Sequence, residues 1–240
     1  MSAEGDGGRA AARSEPGVRR RRGGDTIGGG DTIEGISARQ DGVISRAQAT
    51  AAGLSPGDVD HLLRRRQWRP IHPRIYLTDA RPAGARTRMQ AALLWAGDGA
   101  VLGGSAAAWW RDLLAHPPPI VGVFAAGLVG RPPPGIAVLP GRLDQADVDE
   151  RHGLLVTTPA RTVLDLALEL QARPDFLARV VLGGIPADDL RAAAARHPAG
   201  WARRLVTEAL ADAGRVRDVH HRGRGQRPLA GRGSRTPGLP

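Results

Sequence analysis

Two closely spaced helix-start signals near the beginning of the chain constrain its fold more than any other feature. In the stretch SRAQATAAGLSPGD, Ser45 stands three residues before Gln48, which is the pattern of a capping box. Gly53 follows as a left-handed helix stop, and Ser55 can cap a second helix with Pro56 at its first position. Two short helices joined by a tight, glycine-containing turn predict a helix-turn-helix motif.

The second of these helices has two different faces. Its apolar residues recur at the spacing of a buried helical stripe, namely Val59, Leu62 and Leu63. The residues that then point the opposite way are Gly57, Asp60, His61, Arg64 and Arg65. Arg66 falls near the apolar side and marks a fraying helix end that reaches water by its long stem. The polar face is the one that a nucleic-acid groove would meet.

A short hairpin, or wing, is predicted immediately after this helix. The stretch QWRPIHPRIYLT has β-branched and aromatic residues around a corner at His72 and Pro73, and Pro70 restricts its first strand to a sheet edge. Arg64, Arg65, Arg69 and Arg74 can straddle phosphates, while His61 or Arg64 approaches base edges. Asp60 opposes this locally by repulsion. The alternative is an ordinary helix end, because arginines there are favoured by the helix dipole alone.

Bulk composition adds less than the position of these arginines. The chain has 240 residues and a formal charge of +10, which suggests a polyanionic partner. However, lysine and asparagine are absent while Gly, Pro, Ala and Arg abound, as in the product of a GC-rich gene. Without cysteine, and with histidines at no ligand spacing, we expect no metal site and no cofactor. No apolar run is long enough to span a bilayer, so we expect a cytoplasmic protein.

The middle of the chain predicts a small α+β unit. The stretches RTRMQAALLWAG and SAAAWWRDLL indicate helices, the latter capped by Ser105, while AVL, IVGVFAAG and GIAVLPG indicate strands. TPARTVLDLALEL indicates a helix capped by Thr158, with a broad apolar face of Val163, Leu164, Leu166, Ala167 and Leu170. Its Arg161 and Asp165 form an i,i+4 pair expected to contribute a few tenths of a kcal/mol. PADDLRAAAARHP and WARRLVTEALADAG predict two further helices.

Two separated stretches resemble the AbiEi family of type IV antitoxins, which is common in actinobacteria. The first is DGVISRAQATAAGLSPGDVDHLLRRRQWRPIHPRIYL, similar to the family's N-terminal winged helix, and the second is GLLVTTPARTVLDLAL, residues 153–168. The resemblance implies an antitoxin that represses its own operon and counteracts a nucleotidyltransferase-type toxin without a stable complex. Two departures stand out: HPRIY replaces a wing turn that usually holds glycine, and GGSAAAWW replaces the family's SHxSAA, so no role of that histidine carries over.

We expect no enzyme activity. Many relatives continue into a Vsr-like or PD-(D/E)xK nuclease module, which generally needs clustered acids and often a lysine, and this chain has no lysine. After Gly214 the chain becomes an Arg/Gly-rich tail without apolar period, as if a nuclease module were lost or replaced by a shifted reading frame. Asp188 and Asp189 fit the first turn of a helix better than a catalytic pair.

The resulting hypothesis is an α+β protein with an N-terminal winged helix-turn-helix, a small α/β domain and disordered tails. The expected boundaries are tail 1–33, winged helix-turn-helix 34–79, α+β domain 84–171, helical segment 172–214 and basic tail 215–240. The expected partner is double-stranded operator DNA, and its candidate contacts are Ser45, Arg46, Gly57, His61, Arg64, Arg65, Arg69 and Arg74. A catalytically inactive nuclease remnant and a module that docks an acidic protein remain as alternatives.

Overall fold

The computed structural model describes residues 32–79, 82–125, 127, 131–169, 184–197, 200–211 and 213. The predicted α+β class is confirmed, because these residues form helices and two separate sheets. The predicted basic tail 215–240, almost all of the predicted tail 1–33 and Leu170 of the predicted apolar face lie outside the described residues.

The N-terminal elements follow the cap signals of the sequence. Ser45 caps its helix with a complete capping box, and Ser55 caps the next with Pro56 at the first turn, as predicted. One further helix, capped by Thr32, and one short strand precede them and were not predicted from the sequence. In chain order the elements are α1 (Ile33–Arg39), β1 (Val43–Ser45), α2 (Arg46–Ala51) and α3 (Pro56–Arg64).

A three-stranded antiparallel sheet joins β1 to two strands that follow these helices. The predicted hairpin is formed by β2 (Arg69–His72) and β3 (Ile75–Leu77), and β1 pairs with the other side of β3. The strand order β1-β3-β2 leaves β2 at an edge, where the proline at position 70 was expected. Trp68 and Tyr76 stack with ring centroids 5.9 Å apart, in one core with Val59, so α3 is fixed to the sheet.

The next helix packs against the same sheet. Residues 85–96 form α4 (Ala85–Ala96), the helix predicted from RTRMQAALLWAG. Val43, Ile75, Leu77 and Ala91 share a buried cluster, so α4 covers the face of β1 and β3. The Thr87 hydroxyl donates to the backbone oxygen of Asp41 at 3.3 Å, which adds a polar contact between α4 and the turn after α1.

A five-stranded mixed sheet forms the second layer. Its strands are β4 (Val101–Leu102), β5 (Val121–Phe124), β6 (Ile136–Val138), β7 (Val148–Arg151) and β8 (Leu154–Thr157). Their order in the sheet is β6-β5-β4-β8-β7, with parallel pairing between β4 and β8 and between β5 and β6. The hairpin of β7 and β8 was not predicted from the sequence. Buried Leu102, Val123 and Val156 join α4 and the following helix in a single core.

That following helix corrects one prediction. The predicted helix in SAAAWWRDLL is present as α5 (Gly104–Trp110), but Gly103 occupies the N-cap position and Ser105 lies inside the first turn. The Ser105 hydroxyl and backbone N–H instead donate to the Glu169 carboxylate at 2.6 and 2.7 Å. Ser105 is therefore a link to a distant helix end, which the local sequence pattern could not indicate.

The C-terminal helices bury the Arg161–Asp165 pair, which was expected from the sequence to contribute only a few tenths of a kcal/mol. Helix α6 (Pro159–Glu169) begins at Pro159 as predicted, and its first four predicted apolar positions are buried. The Arg161–Asp165 pair is not a surface pair, since the two side chains are only 2% and 8% exposed. The predicted helices after it are present as α7 (Ala187–Arg196) and as helical residues 201–211. The few tenths of a kcal/mol expected for the Arg161–Asp165 pair is a value for exposed pairs, so it does not describe this buried pair.

Candidate nucleic-acid interface

The outward face of α3 is built by the caps and by the apolar stripe. Val59 is fully buried and Leu62 and Leu63 are partly buried in the N-terminal core, as predicted. Because those residues fix the rotation of the helix, the opposite residues face solvent. Gly57, Asp60, His61, Arg64 and Arg65 are all exposed. The predicted division of the helix into two faces is confirmed.

The end of α3 has a geometry that the sequence did not predict. The backbone N–H of Arg66 donates to Leu63 at 3.0 Å, and that of Gln67 donates to Leu62 at 3.0 Å, which is the Schellman pattern. That motif requires a left-handed residue, and Arg66 occupies the position with φ of 56°. Arg66 is therefore not a fraying end but an exposed side chain on a defined turn.

The hairpin carries the other arginines. Arg69 is exposed at the start of β2, and Arg74 is exposed at the turn between β2 and β3. Arg74 has φ of 65°, so it occupies the left-handed turn position that glycine usually fills. The backbone oxygen of Arg74 accepts from Arg46 N–H at 2.8 Å, which fixes the turn to the start of α2. The hairpin closes without glycine, but with backbone strain at an arginine.

Arg46 has an internal role instead of an outward one. Its guanidinium donates to the Tyr76 hydroxyl at 3.3 Å, to the Pro56 carbonyl at 3.2 Å and to the Asp60 carboxylate at 3.0 Å. Hydrogen bonds with Tyr76 and then with Asp60 raise the pKa of Arg46. The guanidinium thus joins α2, α3 and β3. The same ion pair offsets the charge of Asp60, which the sequence reading expected to repel a polyanion.

Ser45 is likewise committed to the fold. Its hydroxyl accepts from the Gln48 N–H at 3.1 Å, and the Gln48 side chain accepts from the Ser45 N–H at 3.0 Å.

The other acid on α3, Asp58, accepts from the Ser55 hydroxyl and N–H, and these hydrogen bonds lower the pKa of Asp58. Both acids of this helix are therefore engaged with neighbours, which reduces their repulsion of an anion.

We use the name arginine face for the exposed arginines of α3, its C-terminal turn and the hairpin. Its members are Arg64, Arg65, Arg66, Arg69 and Arg74. Arg64 also donates from Nε to the backbone oxygen of Asp60 at 3.3 Å, which holds its stem along the helix. Four members were predicted from the sequence, and Arg66 was missed because its position was judged by helical periodicity. The sequence signal that could have indicated its turn position is the end of the helical apolar spacing at Gln67 and Trp68.

The chemistry of this surface is that of a multivalent anion binder. Guanidinium groups make bidentate hydrogen bonds to phosphate and remain charged at every accessible pH. His61 and Gly57 lie on the same exposed face of α3, where a close approach to another surface is sterically open. Among the described residues, no group of three or more His, Asp and Glu side chains is placed to hold a metal ion.

Comparison with known proteins adds no relative. No protein-family model matches the chain, and no curated protein matches it significantly in sequence. The resemblance to type IV antitoxins therefore stays a prediction that depends on the quoted motifs. No helix in the described part of the chain is both long enough and apolar enough to cross a bilayer.

Proposed function

We propose that the protein is a DNA-binding, autoregulatory antitoxin-like protein whose residues 34–79 act as a winged helix-turn-helix. In this proposal α3 is the recognition helix, the β2–β3 hairpin is the wing, and the partner is double-stranded operator DNA. The α/β part supports the winged helix or provides antitoxicity against a nucleotidyltransferase-type toxin that it does not stably contact. The protein has no catalytic role in this proposal.

The observation that carries the proposal is the arginine face on two rigidly connected elements. Stacking of Trp68 on Tyr76 and the Arg46 contacts fix the hairpin relative to α3. Arginines on both elements then form contacts of fixed spacing, which suits a regular phosphate backbone better than a single basic helix does. Arg64, Arg65, Arg69 and Arg74 are the proposed phosphate contacts, with Arg66 added, and His61 and Arg64 are the proposed base contacts.

Ser45 and Arg46 have a narrower place in the proposal than the sequence suggested. The Ser45 hydroxyl is used by the capping box, and the Arg46 guanidinium already makes hydrogen bonds to three acceptors. We therefore assign both residues to positioning α2 and α3. Gly57 is proposed to allow close approach of the recognition helix, because the absence of a side chain there leaves the first turn open.

The test is a binding titration of the full chain with labelled duplexes. The first duplex carries the sequence upstream of the protein's own gene, and the second is a shuffled duplex of the same length and composition. The proposal expects tighter binding to the upstream duplex, with saturation at a defined stoichiometry. Equal binding to both would remove the autoregulatory role, and saturable binding to an acidic protein without binding to DNA would favour the interaction module.

The toxin part of the proposal has its own test. A nucleotidyltransferase-type gene adjacent to this one would be expressed alone and together with this chain in the same host. Growth arrest by the first and recovery with the second are expected, without co-purification of the two products. Failure of the chain to restore growth, while it still binds the upstream duplex, would leave a DNA-binding repressor without antitoxin function.

A further inference from the structure

A second candidate site is an apolar cavity beside α6. The cavity has a volume of about 510 Å³, within the range of small-molecule pockets. Its apolar walls come from Phe124, Leu139 and Leu168, which belong to β5, the segment after β6, and α6. None of these residues belongs to the arginine face, so an inference from this cavity does not depend on the proposed function.

Buried charged residues also line the cavity, and the Arg161 guanidinium lies 5.3 Å from the centre of the Phe124 ring. Arg161 and Asp165 line the cavity, and Arg161 bridges Asp165 at 2.9 Å and Asp147 at 3.3 Å. Asp147 is fully buried and also accepts from Arg196 at 3.0 Å, a contact that raises the pKa of Arg196. The two guanidinium groups and the two carboxylates cancel in charge, so this network alone does not favour either sign of ligand.

One acceptor in this network has no hydrogen-bond partner in the part of the chain that the structure describes. The Oδ1 atom of Asp165 accepts from Arg161 and lies 3.6 Å from His197 Nε2. The Oδ2 atom of Asp165 is buried and accepts no hydrogen bond from the described residues. An unpaired buried carboxylate oxygen is costly, and such atoms are rare unless a water, ion or ligand group satisfies them. Asp165 lines the cavity, so a donor inside the cavity lies next to this carboxylate.

The rim of the cavity adds negative charge. Glu169 lines it, and the Glu169 carboxylate is held by the hydroxyl and N–H of Ser105. The approach is close: a Cβ atom on Gly104, whose φ is +56°, would lie 2.6 Å from Glu169 Oε2. The charged residues that line the cavity are thus two carboxylates and the Arg161 guanidinium, and His197 also lines it. With His197 counted as neutral, the formal charge of the lining is negative, which suits a cation.

We infer that this cavity binds a small organic cation with an apolar body, such as an aryl- or alkylammonium. The ammonium group donates to the Asp165 carboxylate, and the apolar body lies against Phe124, Leu139 and Leu168. Because Oδ2 is sealed from bulk water, the carboxylate must turn slightly about its terminal bond to meet the donor. That torsion is soft in aspartate, so the turn is accessible.

The test compares three probes of the same size and different charge by calorimetry at neutral pH. Benzylammonium carries the donor and the charge, benzyl alcohol is neutral, and benzoate is anionic. We expect benzylammonium to bind at least about tenfold more tightly than benzyl alcohol, since a charge-assisted hydrogen bond adds that much, and benzoate to bind most weakly. Absence of binding, or equal affinity for all three probes, would overturn the inference.

Two variants locate the binding. Asp165→Asn should abolish the preference for benzylammonium over benzyl alcohol, and chain folding is checked by circular dichroism. If that variant fails to fold, Leu168→Arg carries the test, because Leu168 is 49% exposed and its replacement does not disturb the core. The lost apolar contact should weaken both probes, and the added charge should weaken benzylammonium by about tenfold more than benzyl alcohol.

The matched control is Asp188→Asn. Asp188 is 92% exposed on α7, pairs only with a surface arginine among the described contacts and does not line the cavity. Its replacement by asparagine therefore removes the same charge outside the proposed site. We expect unchanged affinity for all three probes. Equal weakening of benzylammonium by Asp188→Asn and Asp165→Asn would mean that the cation responds to net charge and not to this cavity.

Discussion

Two arginines of the arginine face hold backbone conformations that glycine would adopt at lower cost. Arg66 and Arg74 have φ of 56° and 65°. Replacing either by glycine should stabilise the fold by up to about 1 kcal/mol, because the left-handed conformation is strained for a residue with a Cβ atom. Urea unfolding measures the change in stability of each variant, and duplex titration measures the change in its DNA affinity.

The control is a glycine at the neighbouring position. Arg65 has helical φ of −78°, so Arg65→Gly should destabilise the protein by about 0.5 to 1 kcal/mol. If Arg66→Gly and Arg74→Gly increase stability and weaken DNA binding, the backbone strain at these positions is offset by the contribution of the arginine side chains to DNA binding. If both variants lose stability like Arg65→Gly, the left-handed geometry at these positions is wrong.

His72 provides a pH-dependent prediction at the hairpin. Burial lowers the pKa of His72 below its ordinary value of 6.5. With a lowered folded pKa, the unfolded chain takes up the proton first as pH falls, so the free energy of unfolding decreases below about pH 6.5. His72→Gln should remove this part of the pH dependence. Urea unfolding between about pH 7 and about pH 5 measures it, and parallel curves for the two proteins would contradict the prediction.

At the scale of elements, the start of α2 depends on its capping box. Ser45→Ala should lower the free energy of unfolding by about 1 kcal/mol, because the Gln48 N–H loses its acceptor. Thr50→Ala on the same helix is the control. The Thr50 hydroxyl only bonds back to the Arg46 carbonyl at an exposed position, so we expect a change within about 0.5 kcal/mol. A Ser45→Ala variant as stable as the Thr50→Ala variant would exclude a stabilising cap.

The contact between α6 and the segment before β7 depends on buried charges. Arg161→Ala would leave the buried Asp147 and Asp165 with fewer partners, and we expect a loss of about 3 to 5 kcal/mol. Arg191→Ala removes an exposed arginine paired with Asp188 and should change stability by less than about 1 kcal/mol. Thermal and urea unfolding of both variants measures the difference, and a tolerated Arg161→Ala would mean that water replaces the network.

Local signals predicted most of the helices and the β2–β3 hairpin. Cap residues, proline positions and apolar spacing act within one turn, so Ser45, Ser55 and Pro159 marked their helices correctly. Strands β7 and β8 pair with each other but were missed. In β7 the sequence lacks the alternation of apolar and polar residues that predicts a strand, because Asp149 and Glu150 are adjacent and both exposed. The Ser105–Glu169 contact was missed because the partners are distant in sequence.

At the scale of the whole molecule, the candidate interface was predictable in outline but not in its internal contacts. The exposed arginines follow from helical periodicity and from the hairpin pattern. The use of Arg46 as an internal clamp depends on Tyr76 and Asp60, which come close only when α2, α3 and β3 are packed together. The cavity beside α6 depends on still more distant segments, so no local pattern indicated it.

The central claim is that DNA binding comes from the position of the arginine face and not from the net charge of +10. The most direct test is the salt dependence of duplex affinity for two double variants that remove equal charge. One is Arg64→Ala with Arg69→Ala, on the arginine face, and the other is Arg191→Ala with Arg203→Ala, at exposed positions of α7 and of helical residues 201–211. Circular dichroism confirms that both fold.

Each phosphate contact contributes about 0.9 to the slope of log affinity against log salt. We predict that the variant of the arginine face flattens this slope by up to about 1.8, corresponding to two lost contacts, while the matched variant keeps the slope of the unmodified protein. Equal flattening by both variants, or an unchanged slope for the variant of the arginine face, would contradict the assignment of this surface to DNA.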